Sequence, residues 1–253
     1  MNDSTLVLIG ALIGAAAAII GGIIGGFVQG WAWYRYEQKR ATTEKREQWI
    51  ETTLEWAANG RRESLRRANL SGGDLREVDL SSTEDARADL SYADLSGANL
   101  IGANLSGANL RGANMREANM DDADLSKADL RNANLSKANL FVADLHEADL
   151  SYADLSGANL GNTHLHEADL SEAILTGAKL RNANLYKTAL TSANLTGTDL
   201  RNANLRNAYL SYADLSGANL VGAKWDMWTQ WPQAFDPEAA GAILVTESSE
   251  AKP

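Results

Sequence analysis

The 253-residue chain has no cysteine, three prolines and few aromatic side chains (7%). Without cysteine there is no disulfide, no iron–sulfur cluster and no thiolate zinc site. Pro232, Pro237 and Pro253 all fall in the last segment, so no proline ring interrupts the chain before it. The hydrophobic content of 45% is drawn mostly from Ala and Leu. The net charge of −10 argues against a general nucleic-acid binder and suits solubility or a basic partner. No P-loop, dinucleotide fingerprint or Ser–His–Asp arrangement is present. No cofactor is implied, and the pattern is not that of an enzyme.

Three segments precede and follow a long middle. Leu6 to Val28 is 23 residues without a charge. As a helix it extends about 34 Å, against a bilayer hydrocarbon core of about 30 Å, which predicts a transmembrane span within residues 1–34. A cleaved signal peptide fits less well, because MNDST has no basic residue and the apolar run is too long. Trp31, Trp33, Tyr34 and Tyr36 form an interfacial aromatic belt, followed by Arg35, Lys39, Arg40, Lys45 and Arg46. The positive-inside rule then sets the N-terminus outside and the rest of a single-pass protein in the cytoplasm. Gly10, Gly14, Ala18, Gly22, Gly26 and Gly30 keep small groups near one helix face, a pattern that favours homo-oligomerisation or docking to another membrane helix.

Residues 35–62 read as a juxtamembrane helix that covers the start of the next domain. Ile50, Leu54 and Ala57 make one apolar row, Trp49, Thr53 and Trp56 a second, and Asn59-Gly60 a stop. Glu47, Glu51 and Glu55 fall on a solvated face.

The middle, residues 63–224, is periodic. SYADLSGANL occurs at 91–100, 151–160 and 211–220, at intervals of 60. Of 32 positions spaced by five from Leu65 to Leu220, 29 are Leu, with Met115, Met120 and Asp85 the rest. Two residues earlier stands a small residue, Ala in 24 of 27 cases from Ala88 to Ala218 and Thr at Thr163, Thr188 and Thr198. Five steps turn an α-helix by about 500°, so leucine would form no stripe. Five is odd, so along a continuous strand successive leucines would alternate faces. Within one repeat, however, the small residue and the Leu share a face of a short extended wall. The next two residues must turn the chain so that the following pair also faces inward. HEADL at 146–150 and 166–170, and RNANL at 181–185 and 201–205, recur after 20 residues, and 60 is a multiple of 20. Four walls per coil therefore stack like on like. The prediction is an all-β solenoid of about eight coils, about 38 Å long at roughly 4.8 Å per coil. Asp85, within SSTEDAR, would be a buried acid in a regular repeat, which points to a local bulge or loop that preserves phase.

Tandem A(D/N)LXX, as in SGANLIGANLSGANLRGANM, resembles the pentapeptide-repeat family over residues 65–223. The resemblance implies a right-handed quadrilateral β-helix with Leu as the central inward residue and Ala as the second. Some members of that family are acidic rods that resemble duplex DNA and occupy the DNA site of topoisomerases.

Past Leu220 the phase reaches Trp225 and breaks. Trp225, Trp228, Trp231 and Phe235 predict an aromatic end cap within residues 225–253, Asp236-Pro237 a short helix over Glu238–Ala240, and ESSEAKP a disordered tail. His146 and His166 should stack one coil apart beside Asp144 and His164, a candidate metal set. Asp129, Asp149 and Asp169 should form an acidic column, and Tyr92, Tyr152 and Tyr212 a neighbouring one, both candidate contacts for a protein partner. Residues 68–223 carry 12 Lys/Arg and 21 Asp/Glu, a net of −9. The sequence thus predicts a membrane-anchored, non-enzymatic scaffold, with a topoisomerase-inhibiting DNA mimic as the alternative.

Overall fold

The computed structural model describes residues 43–55, 64–82 and 88–246. The predicted transmembrane segment, its glycine ladder and the tail from residue 247 lie outside them. No helix among the described residues is long and apolar enough to cross a membrane. The chain divides into two compact units, Met1–Lys45 and Arg46–Pro253. Of the first, only residues 43–45, the opening of a helix over 43–55, are described.

In the second unit the repeats stack as isolated parallel bridges, each through the residue before a leucine. Asp94 bridges Asn114, Asn114 bridges Asn134, and the interval stays at 20 residues up to Lys224. One turn of the solenoid is therefore four pentapeptides. We number the faces by their inward residues: Leu95, Met115 and Leu135 on the first; Leu100, Met120 and Leu140 on the second; Leu105, Leu125 and Leu145 on the third; Leu90, Leu110 and Leu130 on the fourth.

The first coil departs from this interval. Asn69 pairs with Asp94, Asp74 with Asn99 and Asp79 with Asn104, each 25 residues on. The five-residue excess falls between Leu80 and Leu90, one whole pentapeptide, so the leucine phase survives while the face advances by none. Ser82 ties the excursion shut: its hydroxyl donates to the Gly107 carbonyl at 2.8 Å and accepts the Ala88 N–H at 3.1 Å. Asp85 itself lies outside the described residues.

Every described residue in the leucine phase from Leu65 to Leu220 is buried, as are the small residues two before it from Ala68 to Ala213. Thr163 and Thr188 replace Ala without an orphaned hydroxyl, because each donates to a carbonyl of the preceding coil, Leu140 at 2.8 Å and Leu165 at 2.6 Å.

One repeat shows how the backbone is satisfied. The N–H groups of Asp94, Leu95 and Gly97 donate to Ala68, Asn114 and Arg116 of the adjoining coils at 2.7–2.8 Å. Ala93 donates to Leu90 across the corner at 3.0 Å. The remaining amide, Ser96, donates to the Asp94 side-chain oxygen at 3.1 Å. Asn or Asp thus recurs before the leucine because its side chain accepts the one amide that the stacking leaves over, an Asx turn.

At each corner only the second of the two turning residues has a positive φ, the type II signature. Gly97, Gly102 and Gly157 satisfy it freely, but Glu117, Val142, Tyr152 and many others hold φ near +60° with a side chain. Each such corner costs about 1 kcal/mol. Burial of one leucine returns roughly 1.5–3 kcal/mol, so stacking outweighs the corners.

Both ends are covered. At the N-terminal end Trp49 and Ile50 of the helix pack on the core, and Thr53 is buried. Glu47, Glu51 and Glu55 are exposed, as expected, whereas Leu54 is also exposed and is not part of the buried row. Gly73 stands where other repeats have Ala because a Cβ there would lie 3.1 Å from Ile50 Cδ1. At the C-terminal end β1 (Lys224–Trp225) pairs in parallel with β2 (Ile243–Leu244), a last rung that the sequence did not announce. Tyr209 bridges Gln230 rather than residue 229, so one extra residue separates Trp225 from Trp231. In place of the expected helix over Glu238–Ala240 there is a single turn: the Asp236 carboxylate accepts the N–H groups of Glu238 and Ala239 at 3.1 and 3.0 Å.

Two substitutions test this description. Leu155→Ala removes a fully buried side chain at mid-rod and should destabilise by about 2–5 kcal/mol in urea denaturation, whereas the same change at exposed Leu54 should cost under about 1 kcal/mol. Val142 is β-branched at φ +59°, so Val142→Gly should raise the denaturation midpoint by about 1 kcal/mol equivalent; a lower midpoint would contradict the left-handed corner.

Candidate functional site

The outward positions of the fourth face carry the acidic column. Bridges join Asp129 to Asp149 and Asp149 to Asp169, with Asn109 between Asp129 and Asp89. The carboxylates are not simply displayed to solvent. Arg131 clamps Asp129 through Nε at 2.8 Å and Nη2 at 2.5 Å, and its Nε also lies 3.4 Å from Asp149. Hydrogen bonding to Asp129 raises the Arg131 guanidinium further above its ordinary range. Asp149 Oδ1 accepts both the amide and the hydroxyl of Ser151, at 3.0 and 2.7 Å, and Asp169 accepts the Ser171 amide at 2.9 Å. Much of each carboxylate's hydrogen-bonding capacity is spent on its own corner.

Tyr92, Tyr152 and Tyr212 do share the neighbouring column, three coils apart, each at a left-handed corner position. They are not equivalent. The Tyr92 ring lies across Gly112, where a Cβ would come within 2.7 Å of it, and Arg66 sits 5.6 Å from its centroid. Tyr152 donates to Glu172 one coil on at 2.9 Å, and that carboxylate raises the phenol pKa. Tyr212 is the most open, at 84% exposure.

His146 and His166 stack as the 20-residue repeat requires, with centroids 5.1 Å apart and planes within 5°. His146 Nδ1 lies 2.8 Å from Asp144 Oδ1. Burial pushes the Asp144 carboxyl up, but the His146 amide and ring outweigh it and hold the group below its ordinary value. His166 Nδ1 is buried with no partner, because the residue two before it is His164 rather than Asp. Parallel imidazoles direct their lone pairs along parallel planes, which do not converge. Among the described residues no group of three side chains is placed to hold a metal ion, so the structure does not assemble the candidate metal set.

The end cap forms around three of its four predicted members. Trp225 meets Trp231 edge to face at 6.0 Å, Trp231 stacks on Phe235 at 5.2 Å, and all three pack on the core. Trp228 is 65% exposed and stands apart from the lid. Two depressions among the described residues are open to solvent, one beside Asp74, Arg76 and Glu77, the other beside Leu215, Ser216 and Phe235.

Two features escaped counting along the chain. Asn119, Asn139 and Asn159 on the second face form an amide ladder: Asn139 Nδ2 donates to Asn119 Oδ1, and Asn159 Nδ2 to Asn139 Oδ1, both at 2.8 Å. From residue 179 to residue 224 every Lys and Arg lies on the second and third faces or the corners after them. Reading the sequence in steps of 20 would have revealed both.

The family description "Pentapeptide repeats" matches residues 86–122, 118–162, 148–186 and 188–224. Among solved structures, the chain is 33% identical to HetL, a pentapeptide repeat protein involved in heterocyst differentiation regulation in Nostoc sp. strain PCC 7120, over 65% of this chain and 89% of that one, with a TM-score of 0.37. It is 20% identical to QnrB1, a plasmid-mediated fluoroquinolone resistance protein, over 75% and 89% of the two chains, with a TM-score of 0.43. It is 31% identical to a pentapeptide repeat protein of the Arabidopsis thaliana thylakoid lumen over 47% and 69%, with a TM-score of 0.25. No curated protein sequence matches. With the repeat matched over more than half its length, and with leucine and alanine lining the axis of a solenoid of four pentapeptides per turn, this chain belongs to the pentapeptide repeat family.

Proposed function

We propose that the protein is a membrane-anchored, non-enzymatic scaffold whose rod of about eight coils presents fixed columns of side chains to a protein partner. The observation that carries this reading is the use of the interior: among the described residues Leu and Ala fill it, and the outward side chains repeat at a constant rung. Such a surface offers many evenly spaced contacts to a partner. In this reading residues 6–28 span the membrane with the N-terminus outside, the glycine ladder supports association of that helix, and the repeat domain is cytoplasmic.

A second reading is a DNA mimic that inhibits a topoisomerase, favoured by the Asp129–Asp149–Asp169 column. Weighing against it, Arg131 occupies that column, and the last three coils carry cations on two faces.

Deletion of residues 1–34 should move the protein from the membrane fraction to the soluble fraction while its β-rich circular dichroism persists. Retention in the membrane would remove the anchor from the proposal. Added to a supercoiling assay, the protein should leave topoisomerase activity unchanged at low micromolar concentration; inhibition there would favour the second reading.

A further inference from the structure

The second and third faces, with the corners that follow them, reverse sign along the axis. Between residues 121 and 167 they carry Asp121, Asp122, Asp124, Asp144, Glu147 and Glu167 against the single cation Lys127, a net of −5. Between residues 179 and 224 they carry Lys179, Arg181, Lys187, Arg201, Arg206 and Lys224 against Asp199, a net of +5. The other two faces do not follow this reversal: past Glu172 their only charge up to residue 217 is Asp214.

Some of these charges are matched within the molecule. Lys187 pairs with Glu167 at 2.9 Å, Arg201 with Asp199 at 2.6 Å, and Lys127 approaches Glu147 at 3.9 Å. Among the described residues Asp121, Asp122 and Asp124 make no ion pair, and neither do Lys179, Arg181 and Lys224. Asp121 and Arg181 occupy the same column three rungs apart, about 14 Å, which exceeds the Debye length of about 8 Å at physiological salt. Apart from the Lys187–Glu167 pair, the two halves therefore do not neutralise each other within one rod.

We propose that this side of the solenoid is a self-complementary surface on which a second copy of the chain packs side by side and antiparallel, about a two-fold axis crossing the rung of Leu160 and Leu165. Such an axis sets residues 121–127 of each copy opposite 199–207 of the other, and 141–147 opposite 179–187, so acidic rows meet basic rows twice. A foreign partner of one sign would fit only half of the surface. Another copy also has the same rung spacing, so its columns stay in register along the whole contact. Phe141 and Val142, each 38% exposed, lie on the second-face corner opposite Lys179 and Arg181, whose aliphatic stems would cover them. The surface is distinct from the fourth-face columns and does not depend on the membrane segment.

Sedimentation velocity of the full chain in non-ionic detergent tests the proposal. The chain should dimerise at about 0.1 M salt and associate at least about tenfold more weakly at about 1 M, as the Debye length falls from about 10 Å to about 3 Å. Lys179→Glu/Arg181→Glu lowers the basic half from +5 to +1, and Asp122→Lys/Asp144→Lys lowers the acidic half from −5 to −1; each variant alone should be monomeric. Mixed in equal amounts they should associate again, which a merely misfolded variant would not do. A monomer at the lower salt, an assembly indifferent to salt, or a mixture that stays monomeric would overturn the proposal. Association through the apolar N-terminal segment would appear as the salt-indifferent outcome.

Discussion

A single packing constraint governs the repeat domain: from every wall, one leucine and one small residue two positions earlier must reach a common axis. Four leucines per turn fill that axis, and the residue beside each is almost always Ala, or Thr with a carbonyl to bond, with Gly73 and Val78 in the first coil. To bring each pair inward the chain must bend every five residues. The bend forces a left-handed φ on residues such as Glu117 and Val142 that do not favour it. The strain persists because each bend also sets the backbone of one coil in hydrogen-bond register with the next. Where Asn or Asp precedes the leucine, its side chain then accepts the amide that this register omits. Core, corner and outward Asn or Asp are parts of one solution rather than three separate preferences.

The same constraint leaves the remaining outward positions free. Because the axis is satisfied by Leu and Ala, the residues at the corners and between the inward pair can differ from face to face with little effect on the stack. The fourth face uses this freedom for a carboxylate column tied to Arg131, the second for an amide ladder, and the second and third together for a reversal of charge. A solenoid with such a surface suits recognition by spacing and sign, since its side chains are held at a fixed rung by the backbone beneath them.

A stack must also end. At the N-terminal side a helix lays Trp49 and Ile50 on the core, and Gly73 makes room for Ile50. At the C-terminal side Trp231, displaced by one residue from the leucine phase, closes the axis, and β2 adds a rung over Lys224 and Trp225. The two covers differ in secondary structure but do the same physical work: each removes apolar side chains from water where no further coil can.

The five-residue spacing of leucine was enough, on the sequence alone, to exclude helix and continuous strand, and the 20-residue echoes of HEADL and RNANL were enough to set four walls per turn. Both follow from local periodicity, which needs no knowledge of what touches what. The stacking of His146 on His166 and of Asp129 on Asp149 followed from the same arithmetic. Tertiary structure decided what arithmetic could not reach. It showed that Arg131 engages the acidic column, that parallel imidazoles do not converge on a metal, and that Leu54 and Trp228 face outward while Trp231 closes the core. It also showed that the phase-preserving loop expected at SSTEDAR amounts to a whole surplus pentapeptide between Leu80 and Leu90, a length the leucine phase could not reveal because an insertion of five leaves it unchanged. A repeat fixes where a side chain points; which groups it meets depends on the neighbouring coil, twenty residues away along the chain and one rung away in space.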